Sequence, residues 1–292
     1  MQKLYKSGFP YSENLQTNII SLDQRVTDKK ASMILIDGAV GLGKTTIAVH
    51  VADGINKLHN LPPIDLDIKN HPQIAMGGAD FLKKMRICFE NKLPVIVYDE
   101  AGDFSKRGTL SRFNAMLNRT FETYRGFKIL VIICLPKFYV LDGHLFDLEI
   151  PRGLIHVVDR CDKYADYSGY SLVSMNWIRY WAEKLPKAIR YKAYEKVTPN
   201  NRGHFYDLES SRSKKLDYIS TKEKIGILQK SEVKAEGLIS YMQIADKTQR
   251  SMIWVKKKFA ELKIKEERII GRVKYFKEDV VNRLIDIIEN KD

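Results

Sequence analysis

Met33-Ile-Leu-Ile-Asp37 runs directly into Gly38-Ala39-Val40-Gly41-Leu42-Gly43-Lys44-Thr45-Thr46, and this junction decides the fold. The first five residues form an apolar run of strand length. The next nine match the phosphate-loop pattern GxxxxGK[ST], and residues 44–58 carry a helical pattern. Glycines let the backbone curl until its N–H groups point inward at one anion. Lys44 brings a positive charge to the β and γ oxygens, and Thr45 offers a hydroxyl to Mg²⁺. The loop opens onto a helix N-terminus, which itself favours anions. A strand before and a helix after give the pattern its mechanical sense. They predict ATP held along Gly38–Thr46.

The partner half of such a site is an acid at the end of a buried strand, and Val95-Ile-Val-Tyr-Asp99-Glu100 supplies one. Asp99 is positioned to hold the Mg²⁺ water shell, and Glu100 to polarise an attacking water. Two adjacent acids favour hydrolysis over transfer to a small acceptor. Strands are also expected at Ile129–Cys134 and Leu154–Val158. Helices are expected at Ala79–Lys92, with Phe81, Met85 and Phe89 on one side, and at Ser111–Tyr124. Continuous apolar strands alternating with helices predict an α/β fold, with a mostly parallel sheet covered on both faces.

The stretch YDEAGDFSKRGTLSRFNAMLNRTFETYRGFKILVIICLPKFYVLD, followed by EIPR, resembles the additional-strand P-loop ATPases. It is most similar to the FtsK/HerA-like and zonular-occludens-toxin-like ATPases of viruses, plasmids and conjugative elements, with AAA+ proteins close behind. The resemblance spans about residues 30–160. It implies a ring or filament of identical subunits, each site completed by an arginine from its neighbour, an addition typically worth ~10³–10⁵ in rate. Arg152 is the first candidate and Arg119 the second; Arg107 and Arg125 remain open. One departure concerns the strand after the acidic pair. Relatives end it with a polar sensor, whereas here it ends Ile133-Cys134-Leu135-Pro136.

Residues 161–195 are rich in tyrosine and tryptophan, read first as packing of an extra layer and second as a base-stacking surface. Tyr5, Phe9 and Tyr11 are read as a packed N-terminal arm, with an adenine-stacking role as the alternative. The polar stretch 198–224 reads as a linker. The domains expected are therefore an ATPase unit at 1–197, the linker, and a small unit at 225–292.

In that last unit, residues 237–259 read as helix, tight turn and helix, with Ser251 capping the second helix. Met252, Val255, Phe259 and Leu262 share one face. Two short strands follow about Gly271, then a helix over Lys277–Glu289. The order resembles helix-turn-helix and winged-helix modules of excisionase-like proteins, and implies duplex DNA as partner. Gln249 and Arg250 would reach base edges, and Lys256, Lys257, Arg272 and Lys274 would reach phosphates.

Composition agrees with a polyanionic partner. The 292 residues carry +13 overall. From Lys187 onward there are 25 basic and 16 acidic residues, or +9 in little over a third of the length. The cysteines Cys88, Cys134 and Cys161 are scattered and odd in number, and read as reduced thiols of a cytoplasmic protein. The longest apolar run, Ile129–Leu135, is seven residues, against the ~20 a membrane helix requires. The function expected is a DNA-dependent ATPase that moves or remodels DNA. Two alternatives stand beside it: an AAA+-like replication initiator or helicase loader switched by ATP, and a nucleotide-controlled DNA-binding regulator or partition factor.

Overall fold

β1 (Met33–Gly38) is buried at all six positions, as a continuous apolar run requires. It lies in the middle of a seven-stranded sheet. The structure is a computed structural model and describes residues 5, 8–28, 30, 32–66, 72–76, 78–99, 115, 128–141, 143–219, 221, 238–248, 250–262, 264–270, 273–277, 281 and 282. The chain divides into two compact units, Met1–Ser220 and Thr221–Asp292.

In the first unit, α1 (Glu13–Thr27) precedes β1, and α2 (Lys44–Leu58) follows it. Then come β2 (Ile74–Ala75), α3 (Gly78–Glu90), β3 (Val95–Asp99), β4 (Leu130–Cys134), α4 (Gly143–Asp147), β5 (Pro151–Arg160), β6 (Tyr164–Ser171), α5 (Leu172–Lys184), a 3₁₀ segment (Lys187–Lys196) and β7 (Asn201–Tyr206). The sheet order is β2-β3-β4-β1-β5-β6-β7. Pairing is parallel from β2 to β5, and antiparallel for β5–β6 and β6–β7. This is the mainly parallel, helix-flanked α/β fold expected from the sequence, extended at one edge by an antiparallel hairpin.

Alternation along β1 sorts the core into two layers. Ile34 and Ile36 join one layer with α1 and α2, while Met33 and Leu35 join the other with α3 and α5. On α3 the inward residues are Phe81, Met85 and Cys88, whereas Phe89 is 46% exposed. At ~100° per residue, seven positions return almost to the starting direction and eight overshoot it. Phe89 is therefore corrected from the core to the surface.

The stretch expected as a linker is structured. β7 lies inside it and pairs with β6 over six residues. Helix α6, over 210–219, follows. That helix buries Leu216 and Ile219 in the first layer. Its Arg212 clamps both oxygens of Asp53 at 2.5 and 3.1 Å. β7 is an edge strand with little buried surface, so its polar sequence does not exclude it from the sheet. The aromatic stretch likewise becomes β6, α5 and the 3₁₀ segment. Tyr167 and Tyr170 are buried, while Tyr164, Trp177, Tyr180 and Tyr191 are exposed.

The second unit is built from β8 (Leu238–Ser240), α7 (Tyr241–Thr248), α8 (Met252–Glu261), β9 (Arg268–Ile270) and β10 (Val273–Lys277). Its sheet order is β8-β10-β9, antiparallel throughout. The Ser251 side chain accepts from Trp254 N–H at 3.2 Å, the cap expected at the start of α8. Leu238–Ser240, expected to open the first helix, forms a strand instead, because it pairs with β10. Val255 and Phe259 are the inward residues of α8, whereas Met252 and Leu262 are exposed. Tyr241, Phe259 and Phe276 pack ring to ring at 4.6–5.3 Å. Among the described residues, no helix is long and apolar enough to cross a membrane.

Candidate nucleotide site

Gly38, the last residue of β1, has φ 138°, and a Cβ there would lie 2.5 Å from the Val157 carbonyl oxygen. Only glycine fits so close to β5. Gly41 and Gly43 also take positive φ, at 86° and 95°. The chain therefore curls through Ala39, Val40 and Leu42 and enters α2 at Gly43. Val40 stands 89% exposed at the tip of the curl. Leu42 packs against the first core layer.

α2 begins with Lys44, Thr45 and Thr46. Its N-cap, Gly43, provides no side-chain cap, and its first turn holds no acid. The positive end of the helix dipole is thus left for an external anion. Lys44 Nζ donates to the carbonyls of Gly38 at 2.9 Å and Ala39 at 2.7 Å, and so closes the loop upon itself. Burial pulls the Lys44 ammonium below its ordinary pKa, while Cys134, Asp99 and Asp37 push back upward.

Thr45 Oγ1 donates to Asp99 Oδ2 at 2.8 Å. Asp99 closes β3, as the sequence predicts, and is buried. The structure therefore joins Thr45 of the loop to the acid from the second strand. Asp99 pairs in register with Cys134. Cys134 sits buried at the end of β4, with its thiol 3.8 Å from the Lys44 carbonyl. The strand end where the resemblance leads one to expect a polar sensor is thus a thiol against the start of α2. Glu100, Arg107, Arg119 and Arg125 lie outside the described residues.

Arg152 is at the opposite end of the sheet from the loop. Its neighbour Pro151 pairs with Met33, whereas Val157 pairs with Gly38. At ~3.3 Å per residue this separates Arg152 from the loop by roughly 17 Å. It cannot reach its own chain's nucleotide. Its Nη2 pairs with Glu149 Oε2 at 2.7 Å.

One residue at the site carries no motif. Asp37 is fully buried below the loop. Its Oδ2 accepts from the Phe138 N–H at 3.0 Å and from the Tyr194 hydroxyl, and its Oδ1 contacts His156 Nδ1 at 2.8 Å. The His156 ring stacks on Tyr194, centroids 3.9 Å apart. Burial, then Asp37, raises the Tyr194 hydroxyl well above its usual pKa, so it stays a donor. This cluster ties the end of β1 to β5, to the segment after β4 and to the 3₁₀ segment. A cavity of about 600 Å³ opens beside it, bordered by Gly38, Ala39 and Leu42 of the loop.

In the second unit, Arg250, Lys256 and Lys257 are exposed. Arg250 lies over the Trp254 ring at 5.6 Å and Lys256 over Tyr241 at 5.9 Å. Lys274 Nζ is 3.1 Å from Glu266 Oε1. Gln249 and Arg272 lie outside the described residues. Phe9 and Tyr11 are buried, as a packed arm requires. Tyr5 contacts the His204 and Tyr206 rings.

No family model matches the sequence. No curated protein matches it. Solved structures with a partial likeness to this chain include an AAA domain and a replication initiator. The AAA domain of FIGL-1 in complex with ADP aligns at a TM-score of 0.31 and 15% identity, over 72% of this chain and 87% of that one. The replication initiator DnaA bound to AMPPCP and single-stranded DNA aligns at 0.30 and 14%, over 83% and 71%. Rhizobiales Trip13 aligns at 0.29 and 17%, over 50% and 49%, so the chain spans about half of that protein. Likenesses of this size leave the functional reading to the site itself.

Proposed function

We propose that the chain is an ATP hydrolase whose turnover is linked to duplex DNA, which it moves or remodels for a virus, plasmid or other mobile element. The observation that carries the reading is the Thr45–Asp99 contact beside Lys44. A phosphate-cradling loop, a mobile charge, a hydroxyl and a strand-end carboxylate meet at one helix N-terminus. The donor set also fits Mg²⁺, which takes hard oxygen ligands together with phosphate oxygens and water. Thr45 and Asp99 would hold it, and bound Mg²⁺ neutralises charge on the β and γ oxygens.

In this reading the backbone of Gly38–Thr46 binds the phosphates. Lys44 leaves its two carbonyl partners for phosphate oxygens. Glu100, next after Asp99, orients the attacking water and accepts its proton. Arg152 serves only a neighbouring subunit's site, which agrees with its place far from its own loop, so the active form is a homo-oligomer. The ATPase and DNA-binding parts correspond to the two compact units, Met1–Ser220 and Thr221–Asp292. Support for the latter is the order β8-α7-α8-β9-β10, with exposed Arg250, Lys256 and Lys257 on and before α8. The second helix of such a unit is the one that enters a major groove.

The test is Glu100→Gln. It should keep ATP affinity within about twofold and lose turnover by ~10² or more, as removal of a general base does. Turnover by the unaltered chain should rise when duplex DNA is added. A Glu100→Gln protein hydrolysing at the original rate removes Glu100 from the mechanism, and turnover indifferent to DNA removes the DNA link.

A further inference from the structure

We infer that Arg160 is a phosphate-contacting residue of the nucleotide site, acting within its own chain on the nucleoside side of the loop, at the α-phosphate. This rests on the nucleotide reading above. β5 runs three residues beyond the register position where Val157 pairs with Gly38, and Arg160 is its last residue. The side chain reaches back over the loop. Its Nη1 lies 2.7 Å from the position a Cβ would take on Gly43, the N-cap of α2. Asp207, just after β7, holds the other end of the fork, with Arg160 Nη2 on its Oδ1 at 2.6 Å.

Two cations, Lys44 and Arg160, crowd the N-terminus of α2. A cation near a helix N-terminus meets the positive end of the dipole and is disfavoured. α2 has Lys44 in its first turn, Arg160 against its N-cap, no acid in the first turn and no capping side chain. Asp207 pairs with the guanidinium, Asp99 and Asp37 act on the Lys44 ammonium, and the Gly38 and Ala39 carbonyls hold its Nζ, but no side chain caps the start of α2. A phosphate there would take the capping place and meet the Arg160 fork. The half-exposed Arg160–Asp207 pair contributes little stability itself; what it does is aim a rigid, five-donor fork.

Sheet order says which phosphate. Asp99 and Cys134 end β3 and β4 on one side of β1, and Arg160 ends β5 on the other. The metal and the γ-phosphate belong with Thr45 and Asp99. Arg160 therefore meets the end that ATP and ADP share. An arginine of this kind grips both nucleotides alike, unlike a residue that senses the γ-phosphate.

The experiment is titration calorimetry of ATP and ADP, with Mg²⁺, on the full chain and on Arg160→Ala, Asp207→Asn and Lys44→Ala, each first shown to melt like the unaltered protein. One lost charge-assisted hydrogen bond should weaken ATP and ADP by the same factor, about 10- to 100-fold. Asp207→Asn, which frees the fork without removing it, should give a smaller loss that is again equal for both. If Arg160→Ala melts low, Asp207→Asn decides alone. Unchanged affinities overturn the inference, and so does a loss confined to ATP. If the unaltered chain binds neither nucleotide, the ATPase reading falls, and this inference with it. If binding vanishes in Lys44→Ala but survives Arg160→Ala intact, only this inference falls.

Discussion

Thr45 Oγ1 and Asp99 Oδ2 are 2.8 Å apart although 54 residues separate them in sequence. Thr45 opens α2 just after β1 and Asp99 ends β3, and these strands are not neighbours: β4 lies between them. The contact therefore spans the end of β4, directly above Cys134, and is the point where the loop half and the acid half of the site become one. Thr45→Ala and Asp99→Asn should each abolish the tightening of ATP binding by Mg²⁺ while leaving metal-free binding nearly unchanged. Turnover should fall by ~10²–10³, the usual cost of one removed contact to developing charge. Calorimetry with and without Mg²⁺ checks it. Equal losses with and without the metal would mean that the pair only supports the loop.

His50 sits on α2 beneath this site, buried, with its Nε2 on the Tyr206 carbonyl at 2.7 Å. Burial lowers its pKa from 6.5 to about 4, with Tyr206 and Asp53 opposing the drop. The unfolded chain thus takes a proton near pH 6.5, and the folded chain only near pH 4. Stability contributed by the neutral imidazole is complete above pH 6.5 and is lost as pH falls toward 4, by roughly 3 kcal/mol. Urea unfolding at pH 7, 5.5 and 4 should show this loss in the unaltered chain. It should be smaller in His50→Gln, which keeps a donor to Tyr206. Parallel pH profiles for the two proteins would remove His50 as the cause.

Lys256 and Lys257 are consecutive on α8, and successive residues turn by ~100°, so together with Lys258 they cannot all face one groove. Lys258 is already engaged with Glu261 at 2.9 Å. Replacing Lys256 and Lys257 by Ala should weaken duplex binding for all sequences alike, with the salt slope dropping by about one unit per lost phosphate contact. Arg250→Ala should alter sequence preference more than affinity. Salt titrations on two unrelated duplexes measure both effects. An unchanged slope would take α8 off the DNA.

The core of the fold was legible because its signals are local. Met33–Thr46 and Val95–Asp99 each combine an apolar strand with a polar terminus whose chemistry names itself. Helix α2 falls at Lys44–Leu58, as its pattern predicts. α1 has only periodicity to mark it, Leu15, Ile19, Leu22 and Val26 at helical spacing, and no motif. β7 was hidden by its polar, edge-strand sequence and β6 by its place in an aromatic run, and without β7 nothing marks Asp207. Asp37 was invisible for another reason. Its partners Phe138, His156 and Tyr194 lie 101, 119 and 157 residues away, and no spacing rule connects them. The resemblance implied an arginine for the site, but register decides which arginines can reach it. Arg152 is at the far end of β5 and Arg160 at the near end.

The most direct test of an ATP hydrolase built on this loop is phosphate release from Mg²⁺-ATP by the full chain and by Lys44→Ala, with duplex DNA present. The unaltered chain should turn ATP over, and the variant should lose at least ~10² of that rate, because the charge that meets the β and γ oxygens is gone. Equal rates in the two proteins, or no turnover and no nucleotide binding by the unaltered chain, would contradict the account.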